Sequence, residues 1–81
     1  MKRNEYDIMY DILNSIVSKP LCGKTYIIYQ CNLNFKVIKR YFGKMLEKGL
    51  LTVNNLRKYD ITAKGLDYMR QYRDLVAVLE V

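Results

Sequence analysis

Residues 34–48 show the most regular alternation of apolar and polar positions in the chain. At 3.6 residues per turn, one side of this segment is apolar and carries Phe35, Ile38, Tyr41, Phe42 and Met45. The other side is polar and mainly basic, and it carries Lys36, Lys39, Arg40, Gly43, Lys44 and Glu47. Asn34 suits an N-cap, and Gly49 suits the left-handed residue that closes a last turn. The pattern therefore predicts an amphipathic helix with a cationic outer face.

Two more helices are predicted before this segment. Residues 4–18 place isoleucines four positions apart, and Asn4 can cap the first turn. Pro20 then interrupts the helical pattern. Residues 24–31 combine β-branched and aromatic residues, which favour a strand, with a spacing that suits a short helix. We interpret them as a helix, because the polar turn at residues 32–34 then joins two helices into a helix-turn-helix.

A small hairpin and a last helix are predicted after it. Residues 50–53 and 57–61 are rich in strand-forming residues, and the turn at 54–56 begins with two asparagines, which tolerate positive φ. The side chains expected to face the helices are Leu51, Val53, Tyr59 and Ile61. Thr62 can cap a final helix that reaches towards the end of the chain. A hairpin directly after a helix-turn-helix is typical of a wing.

Together these segments predict one domain over residues 1–81. Its fold class is mainly α with a small β-hairpin: a winged helix-turn-helix with a three-helix core, a wing and an additional C-terminal helix at 62–80. A chain of 81 residues buries only a modest core. A partner subunit would therefore add stability.

The last helix carries an apolar seam that predicts a homodimer. Its apolar positions recur at steps of three and four residues over about two heptads, which is too short for a stable coiled coil by itself. The helix at residues 4–18 is apolar on more than one side and can add area. The predicted dimer interface consists of Tyr6, Tyr10, Tyr68, Tyr72, Leu75, Val76 and Leu79. The alternative is that this seam packs on its own domain.

Cations are concentrated in the middle of the chain. Fourteen Lys and Arg against eight Asp and Glu give a net charge of +6. From Lys19 to Lys58 there are nine cations and one anion, Glu47. A basic segment between nearly neutral flanks is typical of a surface that binds a polyanion. A basic balance that serves solubility alone is the alternative.

The residue types argue against catalysis and against a metal site. The chain contains no His and two Cys, so a zinc site of Cys and His ligands cannot be assembled. Free thiols are the expected state of Cys22 and Cys31, and a disulfide between them stays open. The segment 23–25 matches the end of a phosphate-binding loop but lacks the earlier glycine and the preceding strand. Acidic residues occur singly, so we predict no enzyme activity, no cofactor and no small-molecule ligand.

The helix-turn-helix geometry assigns DNA-binding roles. The second helix of this motif enters the major groove with its N-terminal residues at the base edges, while flanking cations hold phosphates. A helix N-terminus also suits a phosphate, and a wing reaches the adjacent minor groove or backbone. The predicted DNA-binding residues are Lys24, Thr25, Asn34, Lys36, Val37, Lys39, Arg40, Lys44, Asn55, Arg57 and Lys58.

Several short motifs resemble those of the archaeal small winged-helix regulators. They are Lys24-Thr25-Tyr26-Ile27-Ile28-Tyr29, Cys31-Asn32-Leu33-Asn34-Phe35, Tyr41-Phe42 with Met45, Gly49-Leu50-Leu51, and Tyr59-Asp60-Ile61-Thr62-Ala63-Lys64-Gly65. Cys31 stands where that family usually has Ala, and Asn34 where it usually has Ser. The resemblance implies DNA binding in an archaeon or one of its viruses. Some relatives dimerise through a long antiparallel coiled coil, and the shorter helix here favours a compact dimer.

The leading hypothesis is a transcription regulator that binds double-stranded DNA through residues 34–48 and a basic wing. A sequence-independent architectural protein of chromatin is the nearer alternative. A protein-interaction module whose basic face meets an acidic partner is the third. No apolar run of about 18 residues is present to cross a membrane, and no signal-peptide core follows the N-terminus. We therefore expect a cytoplasmic, nucleoid-associated protein with no membrane partner.

Overall fold

The computed structural model describes residues 3–80. In chain order it contains helices and strands α1 (Glu5–Ser18), α2 (Lys24–Cys31), α3 (Phe35–Glu47), β1 (Leu51–Val53), β2 (Tyr59–Ile61) and α4 (Ala63–Leu79). All the predicted helices are present, and residues 24–31 form a helix rather than a strand. The strands are shorter than predicted, because Leu50 precedes β1 and residues 57–58 belong to the turn. The predicted fold class, a winged helix-turn-helix, is confirmed.

Short polar side chains fix the starts of three helices. The Asn4 carboxamide oxygen accepts from the Asp7 N–H at 2.9 Å, and the Asp7 carboxylate accepts from the Asn4 N–H, which completes a capping box on α1. The Asn34 oxygen accepts from the Val37 N–H at 2.9 Å. The Thr62 hydroxyl accepts from the Gly65 N–H at 2.9 Å. The predicted caps are therefore confirmed.

Left-handed residues end the two helices of the helix-turn-helix. Asn32 adopts φ 53° after α2, and its N–H bonds to the carbonyls of that helix. Gly49 adopts φ 74° after α3, as predicted. Between them, Leu33 lies half-buried against the core. The first turn joins α2 to α3, and the second leads from α3 into β1.

The hairpin pairs Leu51 with Ile61 and Val53 with Tyr59 in antiparallel register. The Tyr59 N–H also donates to the Cys22 carbonyl at 2.8 Å, so the segment before α2 forms a bridge to β2. Leu51 is buried and Tyr59 and Ile61 are half-buried, as predicted, but Val53 is 41% exposed. The prediction for Val53 is wrong: across the hairpin it is the ring of Tyr59 that stacks on Phe42, and Val53 stays exposed.

The core lies where α1, α2 and α3 meet β1. Its fully buried side chains include Ile12, Leu13, Ile16, Ile27, Ile38, Met45 and Leu51. Cys22 and Cys31 are buried in the same core as free thiols. Burial raises the pKa of both thiols. They are therefore poor nucleophiles at neutral pH. None of the helices within residues 3–80 is long and apolar enough to cross a membrane.

Helix α4 is attached to α1 of the same chain by tyrosines. The rings of Tyr10 and Tyr72 stack with centroids 4.3 Å apart. The Tyr72 hydroxyl donates to the Asp7 carboxylate, and the Tyr68 hydroxyl donates to the Tyr6 carbonyl at 2.7 Å. The sequence assigned Tyr10, Tyr68 and Tyr72 to a contact between subunits. In the structure these side chains contact α1 of their own chain, and their part in a dimer stays a prediction.

Candidate nucleic-acid interface

One side of α3 is open and carries cations. Ile38, Phe42 and Met45 are buried, which orients the opposite side of the helix towards solvent. That side carries Lys36, Lys39, Arg40 and Gly43, all exposed, and we call it the α3 face. Within residues 3–80, none of its three cations has an ion-pair partner. Their charge is therefore available to an anion outside the chain.

Gly43 lies on the α3 face without being required by the fold. A Cβ atom built at this position would meet no heavy atom within 4 Å. A glycine in the middle of an exposed helix destabilises it by about 1 kcal/mol relative to alanine. The absent side chain leaves a low point where another molecule can approach the helix backbone.

Two of the residues predicted to contact DNA, Lys44 of α3 and its N-cap Asn34, already bind other groups of the chain. The Lys44 ammonium forms an ion pair with the Glu5 carboxylate of α1. Asn34 uses its carboxamide oxygen as the N-cap. Val37 is half-buried. Of the cations predicted on α3, Lys36, Lys39 and Arg40 are therefore the ones without an ion-pair partner within residues 3–80, and the contact roles of the whole set stay a prediction.

A second cationic surface lies between the start of α2 and the hairpin. It is a depression of about 460 Å³ whose lining includes Lys19, Lys24, Arg57 and Lys58, and we call it the wing depression. No side chain caps the first turn of α2, so its first N–H groups have no side-chain acceptor. A Cβ atom built on Gly23 would lie 3.5 Å from the Lys58 ammonium nitrogen, which shows how closely the hairpin approaches α2. The geometry suits a phosphate group.

Lys24 of the wing depression also contacts the first residue of α3. Its ammonium nitrogen lies 4.2 Å from the centroid of the Phe35 ring. Phe35 belongs to the apolar side of the predicted helix, but this side chain is 48% exposed. It is the first residue of α3, and its ring holds the Lys24 ammonium beside the start of that helix.

The turn of the hairpin is larger than the sequence predicted. It spans residues 54–58, all exposed. The left-handed residue is Arg57, with φ 59°, rather than one of the two asparagines. Asn54 instead uses its side chain to accept from the backbone of the turn. Asn55, Arg57 and Lys58 are consequently presented together at the end of the hairpin.

The comparisons with known proteins decide the family. A family model described as winged helix-turn-helix matches residues 2–80. This chain belongs to the winged helix-turn-helix family. Its fold is also similar to the crystal structure of Sso10a-2, a DNA-binding protein from Sulfolobus solfataricus, with 32% sequence identity and a TM-score of 0.81. That similarity covers 96% of this chain and 83% of the other. No curated protein matches the chain.

The resemblance to archaeal winged-helix proteins is therefore confirmed, and the structure adds two residues to the candidate site. Lys19 joins the wing depression although it lies before α2 in the sequence. Leu56 stands at the edge of the same depression and is 76% exposed. The only sequence signal for Lys19 was its place at the start of the basic stretch 19–58. Nothing in the sequence distinguished Leu56 from a buried anchor of the turn.

Proposed function

We propose that this winged helix-turn-helix protein is a transcription regulator that binds duplex DNA with α3 in the major groove. The observation that carries the proposal is the α3 face, whose three cations are exposed and have no ion-pair partner within residues 3–80. The major groove is about 12 Å wide and admits one helix. The similarity to Sso10a-2, itself described as DNA-binding, supports the same ligand. Such a protein would act in the cytoplasm, at the nucleoid.

Each cationic surface has its own role in this proposal. Lys36 and Arg40 lie one turn apart on α3, where they reach base edges and donate to guanine or to neighbouring phosphates. The wing depression holds a phosphate of the flanking backbone. Base contacts then set the sequence preference, and phosphate contacts set the register and most of the salt dependence.

The double substitution Lys36→Ala with Arg40→Ala tests this proposal. We expect the double variant to lose most specific binding, because each base contact contributes about 1–3 kcal/mol. The measurement is a mobility-shift titration against duplexes selected from a random pool. The matched control is Arg70→Ala with Arg73→Ala, which removes the same charge from exposed positions of α4. Affinity equal to that of the wild type in the Lys36/Arg40 variant would refute the role of the α3 face.

An architectural protein without sequence preference is the second candidate. The wing depression favours it, because three of its four cations, Lys19, Arg57 and Lys58, lie outside the helix-turn-helix and suit phosphates, which carry no sequence information. Competition with unrelated duplex separates the two functions. A regulator binds its site with an affinity about a thousandfold or more above that for bulk DNA. An architectural protein binds both alike, so an equal mass of unrelated duplex competes with the labelled probe.

We further propose that the protein is a homodimer formed by the free part of the α4 seam. Leu75 and Leu79 lie on one side of α4 and are 59% and 74% exposed. Tyr6 of α1 is exposed beside Leu75 in a shared depression of about 350 Å³. Val76 is half-buried on the same helix. A second copy placed on this seam would remove these apolar side chains from water.

Leu75→Glu is the test of the dimer. We expect this charge in an apolar interface to convert the protein to a monomer, measured by sedimentation equilibrium over a range of concentrations. Leu66→Glu is the control, because Leu66 is also exposed but lies about half a helical turn away around α4. A wild-type protein that sediments as a monomer at all concentrations would contradict the proposal.

A further inference from the structure

The tip of the hairpin is held by one residue. Asn54 donates its N–H to the Lys58 carbonyl at 3.0 Å, and its own carbonyl accepts from the Arg57 N–H at 3.0 Å. Its side-chain oxygen accepts from the N–H groups of Leu56 and Lys58 at 2.9 and 3.0 Å. With four hydrogen bonds converging on Asn54, the turn has a fixed shape before any ligand binds.

This turn presents one large apolar side chain. Leu56 is 76% exposed, and the other residues of the turn are asparagines and cations. Isolated exposed leucines are common on protein surfaces and need no special explanation. Leu56 differs because it stands on a braced turn, at the edge of the wing depression, with Asn55 before it and Arg57 after it.

We propose that Leu56 is a wedge that enters the minor groove, inserts between two base pairs and kinks the duplex. The inference rests on the proposed DNA binding and specifies how the wing contributes to it. Apolar side chains that insert in this way unstack one base step and bend DNA by about 20–90° towards the major groove. The leucine then covers base faces that would otherwise be exposed to water.

The neighbours of Leu56 supply the other parts of such a contact. Arg57 and Lys58 are placed to neutralise phosphates that approach one another on the compressed side of a kink. Asn55 can donate to the N3 and O2 acceptors of an A·T pair in the minor groove. The wing therefore prefers a step that unstacks easily, such as TA or CA. This gives the protein a sequence preference at positions that α3 does not contact.

The test combines a bending assay with a stacking probe. A duplex of roughly 30 base pairs, taken from those that the wild-type protein retains from a random pool, carries donor and acceptor dyes at its ends and 2-aminopurine in place of adenine at its TA and CA steps. Binding of the wild-type protein should raise both the energy transfer and the 2-aminopurine fluorescence. Leu56→Ala should lose most of both signals at saturating protein, and Leu56→Met, which keeps a long apolar side chain, should retain them. Leu66→Ala on α4 is the matched control and should behave as the wild type.

The outcomes separate this inference from the proposed function. Wild-type protein that retains no duplex from the random pool would overturn DNA binding and the wedge together. Wild-type protein that binds with unchanged fluorescence and energy transfer would overturn the wedge alone. Equal signals from wild type and Leu56→Ala would also overturn it, because the kink would then come from another part of the surface.

Discussion

Two glycines within helices show how differently the same residue acts in this protein. A Cβ atom on Gly65 would lie 2.1 Å from the Leu50 carbonyl oxygen, so the start of α4 packs directly against backbone. A Cβ atom on Gly43 would meet nothing within 4 Å. Gly65 is therefore required by the fold. Gly43 has no such requirement, and we attribute it to the approach of DNA.

We predict opposite effects of alanine at the two positions. Gly65→Ala should lower the free energy of unfolding by about 1–3 kcal/mol, because Leu50 must move to make room. Gly43→Ala should raise it by about 0.5–1 kcal/mol through the gain in helix propensity. Urea denaturation followed by circular dichroism measures both. A destabilised Gly43→Ala protein would show that the fold does use this glycine.

Helix α3 depends on its first turn, because the cations proposed to meet DNA begin there. Asn34 caps the helix through one side-chain hydrogen bond, and Lys36 follows within the same turn. An uncapped turn frays, which would move Lys36 without changing its charge. Loss of the Asn34 cap is therefore expected to weaken the proposed DNA contact of Lys36 as well as the helix.

For this element we predict that Asn34→Ala lowers the free energy of unfolding by about 1 kcal/mol. Asn34→Ser should be close to neutral, because a serine hydroxyl accepts the same N–H bond. Urea denaturation gives the stability of both variants, and a mobility-shift titration shows whether DNA affinity follows it. Equal stability of the alanine and serine variants would mean that the cap contributes nothing.

Across the whole molecule, the contact between α1 and α4 depends on the protonation of Asp7. The hydrogen bond from Tyr72, followed by that from the Asn4 N–H, holds the pKa of Asp7 below its ordinary value of 3.8. The same contact with Asp7 raises the pKa of Tyr72 to about 12. A carboxyl group whose pKa is lower in the folded protein stabilises the fold at pH values above its pKa in the unfolded chain. That stabilisation is lost as the pH falls through its pKa in the folded protein. A raised tyrosine pKa contributes stability below its ordinary value of 10.0 that is lost as pH rises towards 12.

We therefore expect the stability that the contact between Asp7 and Tyr72 contributes to be constant between about pH 5 and pH 9 and to fall on either side. Asp7→Asn should remove part of the loss between about pH 5 and pH 3, measured by urea denaturation across that range. Asp74→Asn, the same substitution at an exposed position of α4, is the control for the change in charge. If Asp7→Asn lost stability below about pH 5 as steeply as the wild type, the attachment of α4 would not depend on the protonation of Asp7.

The helices were predictable because their signals are local. Asn34 and Thr62 bond to N–H groups three residues away, and the apolar stripe of residues 34–48 follows from the helical repeat alone. The errors concern positions at the edge of the core. Phe35 and Val53 continue the apolar patterns of their elements but are 48% and 41% exposed, and periodicity does not show how much of a side chain its neighbours cover.

The sequence by itself determined the helix-turn-helix, the caps and the cationic side of α3, since each depends on residues within a few positions of one another. Only the tertiary structure decided that Lys44 pairs with Glu5, that Lys19 joins Arg57 and Lys58, and that the tyrosines attach α4 to α1. These contacts join residues from about 40 to 65 positions apart. Their formation depends on how the packed elements meet, which a local pattern does not specify.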